Sequence, residues 1–209
     1  MKKEIKREFY TPEQLEAVDD HIGKYFGKME RVLHEFLSLD IHCDVGIIPP
    51  TDGRNYLTLV TTGMDGHRMA VPAQWSDEGL ERAELVICLP PDWNVEGKSR
   101  DDSWPVDLIK YLARFPIHEE TWLEYGHSIP TGRLAANTDL AGVILLGIQD
   151  APEGVAECML PGGERVLFYQ VIPLYENELA YKAEYGVNAL LKRMKHVDHV
   201  VDISWPSAV

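Results

Sequence analysis

The sequence predicts an α+β fold with a mixed, mainly antiparallel sheet and helices packed on it. Its strand-forming runs follow one another or form hairpins, as at 42–71 and 155–172, instead of alternating one by one with helices. Long helical patterns are confined to the start, the middle and the end of the chain. We find no internal repeat and no low-complexity linker, so we expect residues 1–209 to form a single domain.

The first element is a helix predicted over residues 11–39. Thr11 and Gln14 have the spacing of a capping box, and Pro12 occupies the first helical position. Glycine disfavours a helix interior, so Gly23 and Gly27 weaken this one. We assign residues 1–40 to an N-terminal helical segment. Its apolar residues recur at three- and four-residue steps: Leu15, Val18, Ile22, Phe26, Met29, Leu33 and Leu37.

Three β-branched and apolar runs then predict strands at 42–48, 56–62 and 83–89. The first and third end at proline pairs, which cannot donate to a further ladder. The glycines of residues 63–66 predict a turn into a short return strand at 67–71.

The second half of the chain continues the same pattern. Residues 94–104 are polar and aperiodic, which predicts a mobile surface loop. Helices are predicted at 106–115 and 176–195, with one or two helical turns at 117–125. Strands are predicted at 142–148 and 199–203, and a hairpin joins 155–160 to 165–172.

The chain is acidic, and the acidity is concentrated in its middle. Residues 36–181 carry nine Lys and Arg against 23 Asp and Glu, and this difference of −14 equals the net charge of the whole chain. Such a field disfavours nucleic acid as a direct ligand and favours a basic protein partner. The alternative is that the acidity simply maintains solubility.

Composition also indicates a cytoplasmic protein. No apolar run is long enough to span a membrane, and the N-terminus lacks the apolar core of a signal peptide. Three cysteines are too few for a disulfide framework, so we expect buried free thiols. The oligomeric state is left open.

No motif for catalysis stands out. His42 and Asp44 form a His-x-Asp pair, which is part of an iron-binding triad, but alternating strand residues produce the same spacing. A metal-dependent enzyme using some of His42, Asp44, His118, Glu120 and His127 is therefore kept as an alternative. A scaffold or homodimer without a fixed ligand is a second alternative. We expect no cofactor.

Five stretches together resemble the Suppressor of Fused domain family, in its bacterial-type, stand-alone form. The resemblance covers residues 42–203, which we take as the family core. The matching stretches are IIPPTDGRNYLTLVTTGM (47–64), AELVICLPPDW (83–93), WPVDLIKYLARFP (104–116), GHSIP (126–130) and LFYQVIPLYENELAYKAEYGVNALLKRM (167–194).

The resemblance implies a non-enzymatic protein-binding domain. Animal members bind and restrain zinc-finger transcription factors of Hedgehog signalling and capture a short peptide as an added strand. Bacterial members of this length are thought to be immunity or antitoxin-like proteins, so we expect this chain to mask a partner such as a basic toxin. Aromatic anchors and the region around the 61–68 turn give the candidate partner-binding residues, which are Met64, His67, Arg68, Trp93 and His127.

Overall fold

The computed structural model describes residues 10–35, 40–195 and 198–209. Its four helices are α1 (Pro12–Tyr25), α2 (Arg100–His118), α3 (Glu176–Tyr185) and α4 (Val187–Arg193). Its eight strands are β1 (Arg31–Leu33), β2 (Asp44–Ile48), β3 (Leu57–Thr62), β4 (Ala83–Leu89), β5 (Ser128–Pro130), β6 (Leu140–Leu146), β7 (Glu157–Met159) and β8 (Arg165–Tyr175). Short 3-10 turns cover Met64–Gly66 and Ala73–Glu78.

The eight described strands join one sheet, in which seven follow the order β1-β2-β3-β4-β8-β6-β5 and β7 pairs with β8 beside this path. The long strand β8 pairs with β4 on one side, and on its other side with β7 and then β6. The β4–β8 pair is parallel, while the other pairs among the described strands are antiparallel. The prediction of a mixed, mainly antiparallel sheet in an α+β fold is therefore confirmed.

Both faces of the central strands are covered by helices. Helix α2 packs on the larger core together with α3 and α4, and α1 packs on the smaller one. Strand β4 is buried along its whole length and alternates between the two, because successive side chains point to opposite faces. The larger core includes Leu59, Leu85, Ile87, Ile109, Leu112, Val171 and Leu190, and the smaller includes Ile22, Phe26, Val60, Val86, Val166 and Phe168.

The first helix is shorter than its apolar pattern suggests. The Thr11–Gln14 capping box forms, but α1 ends at Tyr25. Gly27 follows with a φ of 103°, where a Cβ would lie 3.3 Å from the Arg54 guanidinium. The chain then reverses, and Arg31–Leu33 forms the edge strand β1. The prediction of one helix to residue 39 was therefore wrong, and residues 36–39 lie outside the described chain.

Three other elements also differ from their predicted bounds for local reasons. No return strand forms at 67–71, because the turn tightens into the 3-10 segment Met64–Gly66. Part of the predicted 94–104 loop is helical, since Ser99 caps α2 by accepting from the backbone N–H of Asp102 at 3.2 Å. Helix α2 runs to His118, so the turns predicted at 117–125 are wrong beyond that residue.

Two predictions near the C-terminus need correction as well. Gly186, at a φ of 82°, divides the predicted 176–195 helix into α3 and α4. The predicted 199–203 strand is reduced to a single parallel bridge between Val200 and Cys88.

A pair of glycine substitutions tests the end of α1. Gly23→Ala should stabilise the protein by about 0.5–1 kcal/mol, because Gly23 is helical and its added methyl meets nothing within 4 Å. Gly27→Ala should instead destabilise it by about 1–3 kcal/mol, since φ is positive there and the methyl approaches Arg54. Urea unfolding measures both, and equal effects of the two substitutions would contradict this account of the helix end.

Candidate functional site

A buried carboxylate holds the turn that carries three of the predicted site residues. Glu84, on β4, is fully buried. It accepts hydrogen bonds from the Thr61 hydroxyl and, at 2.8 Å, from the backbone N–H of Gly63. The Thr61 oxygen in turn accepts from the backbone N–H of Leu85 at 2.8 Å. These bonds fix the end of β3 and the start of the turn.

The turn directs its side chains to different places. Met64 is 3% exposed and packs in the larger core, so it offers a partner no surface in this conformation. His67 is half-buried, whereas Arg68 is exposed. The backbone beyond them is held by bonds from Met69 N–H to the Glu81 carbonyl at 2.8 Å and from Ala70 N–H to the Thr121 carbonyl at 3.0 Å.

A cleft of about 500 Å³ opens beside Arg68, between the 77–82 segment and the β7–β8 hairpin. Gly79, at a φ of 61°, lets the Arg165 side chain cross the cleft floor. The Arg165 guanidinium donates to the Gly79 carbonyl at 3.2 Å and to the Glu78 carbonyl. The lining consists of Arg68, Asp77, Glu78, Gly79, Glu81, Arg82, Met159, Gly163, Glu164 and Arg165.

The cleft's three arginines are already engaged. Arg68 and Arg82 both pair with Glu164, the latter at 3.5 Å. Arg165 pairs with Glu157 at 3.2 Å as well as with the carbonyls of the floor.

The carboxylates on the facing wall are different. Within the described ranges, the side chains of Asp77, Glu78 and Glu81 make no hydrogen bond or ion pair. They can therefore pair with a cationic group from a partner, in a lining whose four carboxylates and three arginines give a net charge of −1.

Two exposed apolar side chains flank this charge. Met159, on β7, is 59% exposed and lines the cleft. Trp75 is 46% exposed and belongs to the same 3-10 segment as Asp77 and Glu78. The combination of acidic groups with a flexible thioether and an aromatic ring is typical of surfaces that anchor a protein partner.

Trp93 lies at the far end of β4 from the turn. Its indole N–H donates to the Asp102 carbonyl at 2.9 Å, and its ring meets Trp104 edge-on at 5.7 Å. These contacts lock the half-buried ring against α2. Trp93 was predicted to face a partner as an aromatic anchor, and it does not line the cleft.

His127 lies on a neighbouring segment, just before the edge strand β5. Its ring contacts Trp122 edge-on at 5.1 Å, and its Nε2 is 3.8 Å from a Glu124 oxygen. Burial lowers the pKa of His127 below its usual value of 6.5, although the negative charge of Glu124 acts in the opposite direction. The Thr121–Ala70 hydrogen bond connects this segment to the one after Arg68.

The candidate metal ligands do not converge. The Asp44 carboxylate lies 2.7 Å from His34 Nδ1 and 3.1 Å from His42 Nε2. His118 Nε2 instead lies 3.2 Å from the Asp40 carboxylate. No group of three or more His, Cys, Asp or Glu side chains in the described part of the chain is arranged to hold a metal ion. Likewise, no helix of the described chain is long and apolar enough to cross a bilayer.

Sequence reasoning missed most of the cleft. Asp77, Glu78 and Glu81 fall within five residues of one another, which is a visible acidic cluster. Met159 and Glu164 carried no comparable signal, because they join the cleft only through the pairing of β7 and β8.

The family model described as Suppressor of fused protein (SUFU) matches residues 39–204. An uncharacterized protein of Ureaplasma parvum serovar 3 is 22% identical over 187 residues, which is 88% of each chain.

Three solved structures share the fold. A SUFU homologue from Neisseria gonorrhoeae has a TM-score of 0.69 at 15% identity, covering 94% of this chain and 97% of its own. A Sufu–Fu complex has a TM-score of 0.65 at 18% identity, covering 95% of this chain and 93% of its own. Drosophila Suppressor of Fused has a TM-score of 0.65 at 17% identity. The match covers 94% of this chain and 51% of the Drosophila chain. At these identities the likeness shows the fold alone.

Valine substitutions on β3 test the anchoring role of the buried Glu84 carboxylate. Thr61→Val should destabilise the protein by about 1–3 kcal/mol, because it leaves Glu84 and the Leu85 N–H without the hydroxyl between them. Thr58→Val is the matched control on β3, since the Thr58 hydroxyl is buried and has no nitrogen or oxygen partner among the described residues. Chemical denaturation measures the free energy of unfolding of both variants, and an equally small loss of stability in both would contradict the anchoring role of Glu84.

The charges around His127 give a testable effect on its pKa. Its NMR titration should give a pKa below 6.5, lowered further by Glu124→Gln and raised by Lys182→Gln, because Glu124 favours the imidazolium and Lys182 disfavours it. The folded chain then binds this proton less readily than the unfolded chain, so His127 reduces stability as the pH falls below about 6.5. Shifts of the same sign in both variants would contradict this environment.

Proposed function

This chain belongs to the Suppressor of fused family, and from that premise we propose that it is a non-enzymatic protein-binding domain that masks a basic protein partner in the cytoplasm. The observation that carries the proposal is the cleft beside Arg68, where the side chains of Asp77, Glu78 and Glu81 have no partner among the described residues and Met159 is exposed. Family membership supports protein binding, because a solved relative is a Sufu–Fu complex.

The proposed partner presents a lysine- or arginine-rich segment to the cleft. The cleft's own cations are held by Glu164, Glu157 and backbone carbonyls, so an incoming cation meets Asp77, Glu78 and Glu81. Trp75 and Met159 would cover the apolar stems of such side chains, which stay partly apolar up to the charged group. Arg68 lines the cleft and His67 precedes it in the chain, so we keep both as candidate contact residues.

Masking follows from the charge of the whole chain as well as from the cleft. A net charge of −14 attracts a basic protein over distance and speeds encounter, while the cleft determines where the partner docks. An immunity or antitoxin-like protein would act in this way, since it covers the basic surface that a toxin such as a nuclease uses on its substrate. We propose that role for this chain.

The test is affinity capture from the native cells with a charge-removing variant and a matched control. The cleft variant is Asp77→Asn with Glu78→Gln and Glu81→Gln. The control is Glu16→Gln with Asp19→Asn and Asp20→Asn, which removes the same charge from the exposed surface of α1. Quantitative mass spectrometry measures what each retains in low and in high salt.

We expect the cleft variant to retain about tenfold less of a basic protein that wild type and control retain, since it removes three exposed charge contacts of a few tenths of a kcal/mol to about 1 kcal/mol each. High salt should release the partner from all three proteins, because screening weakens exposed charge pairs. Equal retention by the cleft variant and the control would reject the cleft as the docking site. Retention of no basic protein by wild type would reject masking itself.

A further inference from the structure

The Arg68–Glu164 ion pair of the acidic cleft is exposed to solvent. The Arg68 side chain is 47% exposed and that of Glu164 is 33% exposed. Within the described ranges, Glu164 is the one residue with which the Arg68 guanidinium pairs or forms a hydrogen bond. Because an exposed ion pair contributes little to stability, this one can open at low cost.

The other two arginines of the cleft are held more firmly. The Arg82 side chain is 9% exposed and lies 3.5 Å from Glu164. Arg165 donates to two backbone carbonyls of the cleft floor and also pairs with Glu157 at 3.2 Å. Arg68 is therefore the arginine that can leave its carboxylate without a change in the buried structure.

The two arginines beside Glu164 use different oxygens of its carboxylate. Arg68 Nη2 pairs with Oε1, whereas Arg82 Nη2 lies 3.5 Å from Oε2. When Arg68 leaves, Oε1 becomes available while Arg82 still holds the other oxygen. The backbone stays in place during this exchange, because the Leu160 N–H donates to the Glu164 carbonyl at 2.7 Å and closes the β7–β8 turn.

An available Glu164 oxygen would enlarge the set of carboxylates that a partner's cation meets. Asp77, Glu78 and Glu81 line the same cleft and have no side-chain partner in the part of the chain that the structure describes. The Arg68 guanidinium is the same kind of group as the cation that the partner inserts, so the two compete for Glu164. Such competition lowers the apparent affinity in proportion to the fraction of molecules whose ion pair is open.

We propose that Arg68 is an internal competitor that limits the affinity of the acidic cleft for a basic partner, and that the partner's arginine or lysine replaces it at Glu164 Oε1. This inference rests on the proposed function, because it requires a partner that inserts a cation into the cleft. A segment with one cation gains little from the exchange, whereas a segment with several also reaches Asp77, Glu78 and Glu81. Arg68 thus makes the cleft selective for strongly basic segments.

Fluorescence anisotropy with a fluorescein-labelled hexapeptide of alternating lysine and arginine measures the affinity for a basic segment. Arg68→Gln should tighten binding about two- to sixfold, as expected when an exposed ion pair no longer blocks the site. Arg31→Gln is the matched control, because it removes the same charge and breaks the Arg31–Glu96 pair, whose side chains are 54% and 47% exposed outside the cleft. Arg68→Lys keeps a cation beside Glu164 and should bind as wild type does.

A double variant separates the loss of competition from the loss of simple charge repulsion. Adding Glu164→Gln to Arg68→Gln removes the oxygen that Arg68 vacates, so the gain in affinity should disappear. Adding Glu96→Gln to Arg31→Gln is the corresponding control and should leave the affinity near that of wild type. A gain that persists in the Arg68 and Glu164 double variant would overturn the proposal, because it would come from repulsion by Arg68 alone.

The same assay distinguishes failure of this inference from failure of the proposed function. If the variant of Asp77, Glu78 and Glu81 loses the peptide but Arg68→Gln and Arg31→Gln bind it equally, the competition is rejected and the cleft is retained as the docking site. Equal peptide binding by that triple variant and the α1 control variant would reject the cleft and the competition together. Binding by neither wild type nor Arg68→Gln would also reject both.

Discussion

The fold depends on the pairing of β8 with strands on both of its sides. Its first half lies between β4 and β7, and its second half pairs with β6. Because this strand is buried along nearly its whole length, its side chains enter both cores and join the helices of the two faces. The parallel contact between β4 and β8 also brings the 77–82 segment to the β7–β8 turn. Without that register, the acidic cleft would not exist.

Two glutamates hold the backbone and the arginines around the cleft in place. Glu84, without solvent contact, anchors the turn after β3 through Thr61 and Gly63. Glu164, in the β7–β8 turn, engages Arg68 and Arg82 across the cleft. The first carboxylate fixes where the 61–68 backbone runs, and the second is shared by two of the three arginines of the cleft. The remaining carboxylates are thus left to act on a partner.

Much of the fold could be predicted from local patterns. Strands β2, β3, β4 and β6 are apolar runs bounded by proline, glycine or polar residues, and the Thr11 capping box marks the start of α1. The ends of helices were harder to predict, because Gly27 and Gly186 end them through a positive φ and not through a change in side-chain polarity. Ser99 began α2 inside a stretch whose composition resembles a loop.

The candidate site could be predicted only in part, because long-range contacts form it. Arg68 was identified from the turn, but Glu164 is 96 residues away and Arg165 contacts Glu78 across 87 residues. No local pattern encodes such pairs. Met64 was a candidate contact residue because of the resemblance around 61–68, whereas tertiary packing buries it in the larger core. The acidic excess of the middle region was visible in the sequence, but the placement of Asp77, Glu78 and Glu81 beside Met159 was not.

The measurement that tests partner masking most directly is hydrogen–deuterium exchange of this protein, alone and with the basic protein that it captures. The account predicts added protection at residues 73–82 and 157–165, on the two walls of the acidic cleft. Protection confined to the β5 edge or to α1, with these two walls unchanged, would contradict it.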